Sequence, residues 1–311
     1  MKDIRVVSLF DGISCGRLAL ERAGVPVSSY EAYEINPYAI EVSEKNFPDI
    51  IHLGDVTTAN FSIHKDIDLL IGGSPCQGLS SANVYLKDGE YGVCGEGTSK
   101  LFWYFVAALK TIKPKYFFFE NVASMRKADK EIITRELGGT PVEINSVLFS
   151  GQIRRRLYWT NIPFIVPTER LVDTKLTDIL ENSVTDRYYL KQGTLDYVMS
   201  SGTGGWRSGN RIINPEYGRP VVASCWKIHR ADTDTYISTE YQPEGRTNVR
   251  RLLPIEVERL QTLPDNYTLI EDGRSLSQSD RHRWEMIGNA WTVSVIAYIF
   301  ESLKNKFLEV I

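Results

Sequence analysis

IRVVSLFDGISCGRLALERAGVPVSSYEAYE, residues 4–34, decides the fold class. The apolar, β-branched run from Ile4 to Phe10 reads as a buried strand, and a glycine-containing turn follows it. The chain then has helical period from Cys15 to Ala23 and returns to a strand from Ser29 to Glu34. The alternation continues downstream. Pro37 opens a helix to Asn46 at the position where its missing N–H costs nothing, and Ile67 to Gly73 reads as the next strand. A helix from about Ser99 to Ile112 stops before Lys113-Pro114, and the aromatic run Lys115 to Glu120 is a further strand. Two more strands are expected at Val142 to Phe149 and Arg156 to Asn161. Strands alternating with helices in this way specify an α/β protein built on a mainly parallel, Rossmann-like sheet.

After Pro167 the texture changes. SGTGGWRSGN (201–210) and HRADTDTYISTEYQPEGRTN (229–248) are rich in glycine, aromatics and polar residues and lack helical period. The expected division is a first domain at 1–169, a small loop-and-strand domain at 170–248, and a segment at 249–311 that returns to the first. That last segment carries a helix after Pro254 and a long one from about Asn289 to Lys306. The net charge of -3 hides an asymmetry: residues 1–75 hold six Lys/Arg against eleven Asp/Glu, whereas 201–251 hold eight against five. Any basic surface for a polyanion therefore belongs to the second half.

The four cysteines, Cys15, Cys76, Cys94 and Cys225, form no C-x-x-C pair and have no histidine at ligand spacing, so neither a disulfide framework nor a metal site is expected. No apolar run reaches the roughly 20 residues of a membrane span, and Met-Lys-Asp-Ile-Arg is not followed by the apolar stretch of a signal peptide, so a cytoplasmic protein is expected. The oligomeric state is left open.

Chemistry concentrates where strands end. The turn Phe10-Asp11-Gly12-Ile13-Ser14-Cys15-Gly16 joins a strand to a helix N-terminus, where glycines let a ligand approach the backbone. Glu34 ends the second strand 22 positions after Gly12, near the roughly 20-residue offset of a ribose-binding carboxylate. A nucleoside-bearing cofactor fits, and so does an ordinary strand-turn-helix junction with a surface glutamate. Asp55, in Gly54-Asp55-Val56, lies at the same sheet edge, where a plain surface turn is the alternative. Cys76, in Gly72-Gly73-Ser74-Pro75-Cys76-Gln77-Gly78, is compatible with a nucleophile beside a cleft or with a small buried residue. Glu120, after three phenylalanines, sits at an apolar boundary where burial favours the protonated acid; a capping Glu-Asn pair explains it equally. In Gln152-Ile153-Arg154-Arg155-Arg156, strand alternation puts Arg154 and Arg156 on one face, for an anionic or carbonyl-rich ligand or as a solvated edge.

Together, in order and spacing, these segments resemble the C5 cytosine-specific DNA methyltransferases. FDGISCGRLAL resembles the family's cofactor turn and EINPYAIEVSEKNF its acidic strand and helix; GDV, GGSPCQ, FENV and QIRRR follow in the family's order. RLLPIEVERLQTLPDNY and IGNAWTV resemble its C-terminal motifs, so the likeness runs from Val6 to about Ile299. FDGI, GGSPC and LFWYF are similar to the catalytic domains of animal de novo methyltransferases. The resemblance implies an S-adenosyl-L-methionine-dependent methyltransferase sheet with a smaller target-recognition domain at 170–248, and a cytosine flipped out of double-stranded DNA. It implies Cys76 as the nucleophile at carbon 6, Glu120 on N3 and the exocyclic amine, Arg156 on the O2 side, and Arg154 supporting the loop or a phosphate. The cofactor would be held by Phe10, Asp11, Gly12, Ser14, Cys15, Gly16, Glu34, Ile35, Asp55, Val56, Pro75, Leu101, Asn289, Ala290 and Trp291; no metal is implied. A bacterial or phage protein, of the restriction-modification kind or an orphan, fits the compact chain.

Some positions depart from the family pattern. Ser14 and Cys15 stand where many members have glycine, Gly16 replaces a common aromatic, and LQTLPD replaces LQGFPD. The animal enzymes also lack those glycines. The alternatives are the family's tRNA-modifying branch, whose C-F-T segment is missing here, and a silent DNA-binding homologue, which typically loses the cysteine or the glutamate that this chain keeps.

Overall fold

The computed structural model describes residues 3–80, 89–200, 212–271, 273 and 276–308. The glycine-rich stretch 201–210 lies outside them. The described chain forms two compact units. The first comprises 1–145, 155–166 and 293–311, and the second 146–154 and 167–292.

The first unit is a seven-stranded sheet in the order β3-β2-β1-β4-β5-β7-β6. Its strands are β1 (Ile4–Leu9), β2 (Val27–Tyr33), β3 (Ile51–His52), β4 (Leu69–Gly72), β5 (Tyr116–Val122), β6 (Val142–Asn145) and β7 (Arg155–Thr160). The first five run parallel, and β7 is antiparallel to both β5 and β6. Its helices are α1 (Cys15–Arg22), α2 (Pro37–Asn46), α3 (Phe102–Ile112), α4 (Lys127–Leu137) and α8 (Val293–Leu308). Local chemistry sets their ends. Asn36 caps α2 by accepting from Tyr38 N at 3.0 Å ahead of Pro37. Lys113, left-handed at φ 51°, stops α3 before Pro114, and Gly138 at φ 73° stops α4.

Strand β5 explains the aromatic run. Successive side chains of a strand point to opposite faces. Phe119 meets Phe105 of α3 at 4.7 Å between ring centroids, while Phe118 meets Phe300 of α8 at 5.3 Å. Both rings are fully buried, each contributing about 1.5–3 kcal/mol. At the end of β4 a Cβ on Gly72 would stand 2.9 Å from the Phe105 ring and 3.0 Å from Leu9 O, so only glycine lets β1, β4 and α3 close up there.

The second unit holds α5 (Gln192–Met199), α6 (Pro254–Leu260), α7 (Leu276–Asn289) and the antiparallel pair β8 (Tyr236–Ser238) and β9 (Val249–Arg251). A small core of Leu190, Val198, Ala231, Tyr236 and Val249 is supplemented by buried ion pairs. Arg250 grips Glu256 through two bonds of 2.8 Å, and Glu258 takes Arg283 at 3.0 Å. The loop-and-strand reading of 170–248 did not include α5, which lies outside the two stretches that lack helical period. The expected long helix from about Asn289 to Lys306 is α8, which begins four residues later at Val293; Asn289 instead ends the separate helix α7.

Candidate active site

Parallel strands β1, β2, β4 and β5 deliver their carboxyl ends to one edge of the first unit, and the strand order reverses at β1, flanked by β2 and β4. Ligands of open α/β sheets bind outside such an edge at the reversal. The turn after β1 has three left-handed residues in five positions, Phe10 at φ 60°, Gly12 at φ 59° and Ser14 at φ 58°. For non-glycine residues this costs about 1–2 kcal/mol each, so surrounding bonds must hold it. Glu34, at the end of β2, accepts from Gly12 N at 2.8 Å, Ile35 N at 2.9 Å and Asn36 N at 2.8 Å. Asp11 turns its carboxylate inward, toward Ser8, Tyr30 and Ser14. Burial pushes this carboxyl above its ordinary value, against the lowering effect of the three hydroxyls. Cys15 and Gly16 are buried in the first turn of α1. Ile35, in contrast, is 69% exposed beside Glu34. Asp55 caps a short 3-10 turn through Thr57 N, Val56 is buried in the core, and Leu101 precedes α3.

The loop leaving β4 carries Cys76, which is half-buried against the core. It is fastened on both sides. Ser99 Oγ donates to Pro75 O at 2.8 Å and accepts from Gly78 N at 2.9 Å. Asn121 Nδ2, next to Glu120 on β5, donates to Ser74 O at 3.1 Å. Glu120 is 9% exposed, and its Oε1 takes Arg156 Nε of β7 at 2.9 Å. The register explains the contact: Glu120 faces Tyr158 and Val122 faces Arg156, so the two side chains are diagonal neighbours across an antiparallel pair. Cys76, Glu120 and Arg156 thus belong to one edge of one sheet. Ser99 and Asn121 had no assigned role in the sequence, although Asn121 lies inside the FENV segment.

Arg154 is placed differently from the strand-alternation expectation. The strand begins at Arg155, and Arg154 is part of the second unit, where its buried guanidinium donates to the carbonyls of Val221, Gly288 and Ala290. Gly288 and Ala290 stand at the end of α7, where carbonyls lack helical partners, and a cation is favourable there. Arg154 therefore supports backbone within the second unit. Asn289, Ala290 and Trp291 also lie in the second unit; Asn289 is the exposed last residue of α7 and Ala290 is buried. Among the described residues no His/Cys/Asp/Glu group is arranged to hold a metal, and no single helix is long and apolar enough to cross a membrane.

An open α/β sheet with an antiparallel β7 and a cysteine loop beside a Glu-Arg pair defines a class, the methyltransferases built on this sheet. Solved structures agree on the fold. An Entamoeba histolytica methyltransferase, EhMeth, superposes with a TM-score of 0.73 at 16% identity, covering 99% of both chains. The S. pombe Dnmt2 methyltransferase gives 0.72 at 16%, covering 98% of this chain and 99% of that one. In sequence, the type II methyltransferase M1.ScrFI of Lactococcus lactis subsp. cremoris is 28% identical over 99% of this chain and 78% of its own. M.NlaX of Neisseria lactamica is 27% identical over 96% of each. The profile of the C-5 cytosine-specific DNA methylases matches residues 4–139 and 152–305. The chain belongs to that family.

Proposed function

We propose that the chain methylates carbon 5 of cytosine in double-stranded DNA, using S-adenosyl-L-methionine, through a covalent adduct on Cys76. The observation that carries this reading is the arrangement at the β4–β5 edge. Cys76 sits on a loop that Asn121 and Ser99 fasten, and Glu120 beside Asn121 is paired with Arg156. Cytosine carbon 5 is a weak nucleophile, and addition of a thiolate at carbon 6 turns the ring into an enamine that is nucleophilic at carbon 5. Glu120 hydrogen-bonds N3 and the exocyclic amine, Arg156 holds the O2 side, and both favour the adduct over the free base. Once carbon 5 bears the methyl group, loss of its proton breaks the carbon 6–sulfur bond and frees Cys76. A base inside a duplex has to leave the stack for this chemistry.

The cofactor supplies an electrophilic methyl group on a sulfonium. The residues at the β1–β2 edge fit its nucleoside. Glu34 presents a carboxylate for ribose hydroxyls, and Ile35 offers exposed apolar surface for a base. The space in front of Gly12 is open, with no heavy atom within 4 Å of a Cβ built there. The second unit is the candidate target-recognition body, where Arg281 and Lys227 flank Trp226 at 4.1 and 5.1 Å from its ring centroid. The type II relatives and the missing C-F-T segment favour DNA over tRNA.

Transfer of tritiated methyl to unmethylated DNA and, separately, to tRNA tests this, with bisulfite sequencing of the product. Label at cytosine in DNA, lost in Cys76→Ala, is expected. Label in tRNA alone, or retained label in the variant, overturns it.

A further inference from the structure

Asp11 is in the family's cofactor turn, yet its side chain makes no approach to the open side of that turn. Its two oxygens are taken by three hydroxyls: Ser8 Oγ at 2.5 Å and Tyr30 Oη at 2.6 Å on Oδ1, and Ser14 Oγ at 2.5 Å on Oδ2. Ser8, Tyr30 and Ser14 are at most 1% exposed. They come from β1, β2 and the turn itself, so one carboxylate ties together the two strands whose ends carry the site.

The bond directions follow from donor counting. Ser14 spends its only proton on Asp11, so at 2.6 Å it accepts from Ser43 Oγ of α2. Ser43 has then spent its own proton, and His52 Nε2 at 3.2 Å must be the donor to it. A directed chain His52→Ser43→Ser14→Asp11 therefore runs from β3 to the turn. It leaves His52 Nδ1 buried with no partner, which the Nε2–H tautomer explains.

Backbone geometry gives this cage its purpose. Asp11 N donates to Tyr33 O and Ser14 N to Asp11 O, while Glu34 holds Gly12 N from the other side. The turn with its left-handed residues at 10, 12 and 14 is thus clamped between two carboxylates, one facing inward and one at the open edge. We propose that Asp11 is a positioning residue: its inward hydroxyl cage holds Ser14 and Gly12 in the left-handed form that presents the turn's backbone to the nucleoside cofactor. It acts through the turn and does not touch the cofactor with its carboxylate. This rests on the cofactor reading above.

Isothermal titration of S-adenosyl-L-methionine and its demethylated product against the wild-type protein and three variants tests the idea, alongside kcat at saturating cofactor. Asp11→Ala is expected to raise Kd more than tenfold while kcat falls less than threefold. Asp11→Asn keeps an acceptor for Ser8 and Tyr30, but its N–H meets Ser14 Oγ, whose own proton then finds an acceptor only if the chain through Ser43 reverses onto the other His52 tautomer, so its Kd should fall between those of wild type and Asp11→Ala. Tyr30→Phe removes one donor only and should fold where Asp11→Ala does not; its Kd should rise about threefold. If Asp11→Asn binds as poorly as a misfolded or Ala variant, or if kcat falls with Kd intact, the positioning role is overturned. If the wild-type protein binds neither compound, the cofactor reading itself fails.

Discussion

Gln261 offers a demanding test of how the second unit is held. It is fully buried, and its amide makes all four hydrogen bonds open to it. Nε2 donates to Ile287 O at 3.1 Å and Ala290 O at 3.0 Å; Oε1 accepts from Gln152 Nε2 at 3.1 Å and Thr292 Oγ1 at 2.8 Å. Replacement by leucine keeps the volume and removes the four bonds. Each deserted atom retains another partner: Ala290 N for Ile287 O, Arg154 for Ala290 O, Leu260 O for Gln152, and Ser146 for Thr292. The cost is then the net value of four bonds, about 1 kcal/mol each, reduced because leucine need not be desolvated, or about 2–4 kcal/mol. Glutamate is worse, because it places an oxygen against two carbonyl oxygens in a dry site. Urea unfolding followed by tryptophan fluorescence at pH 7.5 measures both. Gln261→Leu costing under about 1 kcal/mol, or Gln261→Glu being no worse than leucine, would refute the view that this amide organises the end of α7.

A Cβ on Gly78 would lie 2.9 Å from Glu90 O, 3.0 Å from Ser99 Oγ and 3.3 Å from Gly92 N, so Gly78→Ala should shift the Cys76 loop. We expect a loss of about 1–3 kcal/mol and a transfer rate reduced beyond tenfold; a wild-type rate would show that the loop absorbs the methyl group. Glu120→Gln should reduce kcat/KM by more than tenfold, or about 1.4 kcal/mol of barrier, and a smaller effect would make Glu120 a mere anchor for Arg156. Burial raises the Asp234 carboxyl from 3.8 to about 7, overcoming the opposing effect of Arg251. The folded form thus holds this proton more tightly than the unfolded chain, so the stabilisation is complete below the ordinary carboxylate range and is lost as pH rises toward 7. Asp234→Asn should therefore be more stable than wild type at pH 8, by at most about 4 kcal/mol, with the advantage vanishing toward pH 4; parallel stability curves for the two proteins would disprove the assignment.

Much of the sheet was legible because its strands are buried on both faces and read as unbroken apolar runs. Leu69–Gly72 and Ile4–Leu9 are of this kind, and the phenylalanines of β5 proved to serve two faces in turn. What escaped lies where local pattern is weak. Helix α7, LSQSDRHRWEMIGN, is polar along most of its length and contains a glycine, and α5 is eight residues with a glycine at its second position. Both are stabilised by packing that propensity does not report. Gly288 illustrates this: a Cβ there would meet the Val222 backbone at 2.3 Å, so that glycine reflects a close approach from a distant segment.

The candidate site divides along the same line. Glu120 and Arg156 meet because the antiparallel register makes them diagonal neighbours, a pairing between two segments that neither segment reveals by itself. Arg154 belongs to the same QIRRR segment but precedes the strand, so alternation no longer governs it, and its guanidinium serves the open carbonyls at the end of α7. Asp11 shows the converse. It lies inside a motif that marks a ligand edge, yet its carboxylate answers to hydroxyls on β1, β2 and the turn, which no local pattern brings together. A motif thus locates a stretch of backbone at an edge, whereas the direction of each side chain is decided by which distant donors and acceptors would otherwise be buried unsatisfied. For that reason the hydroxyl cage and the Gln261 amide, rather than the residues nearest the chemistry, are the places where substitution most directly separates construction of the site from catalysis.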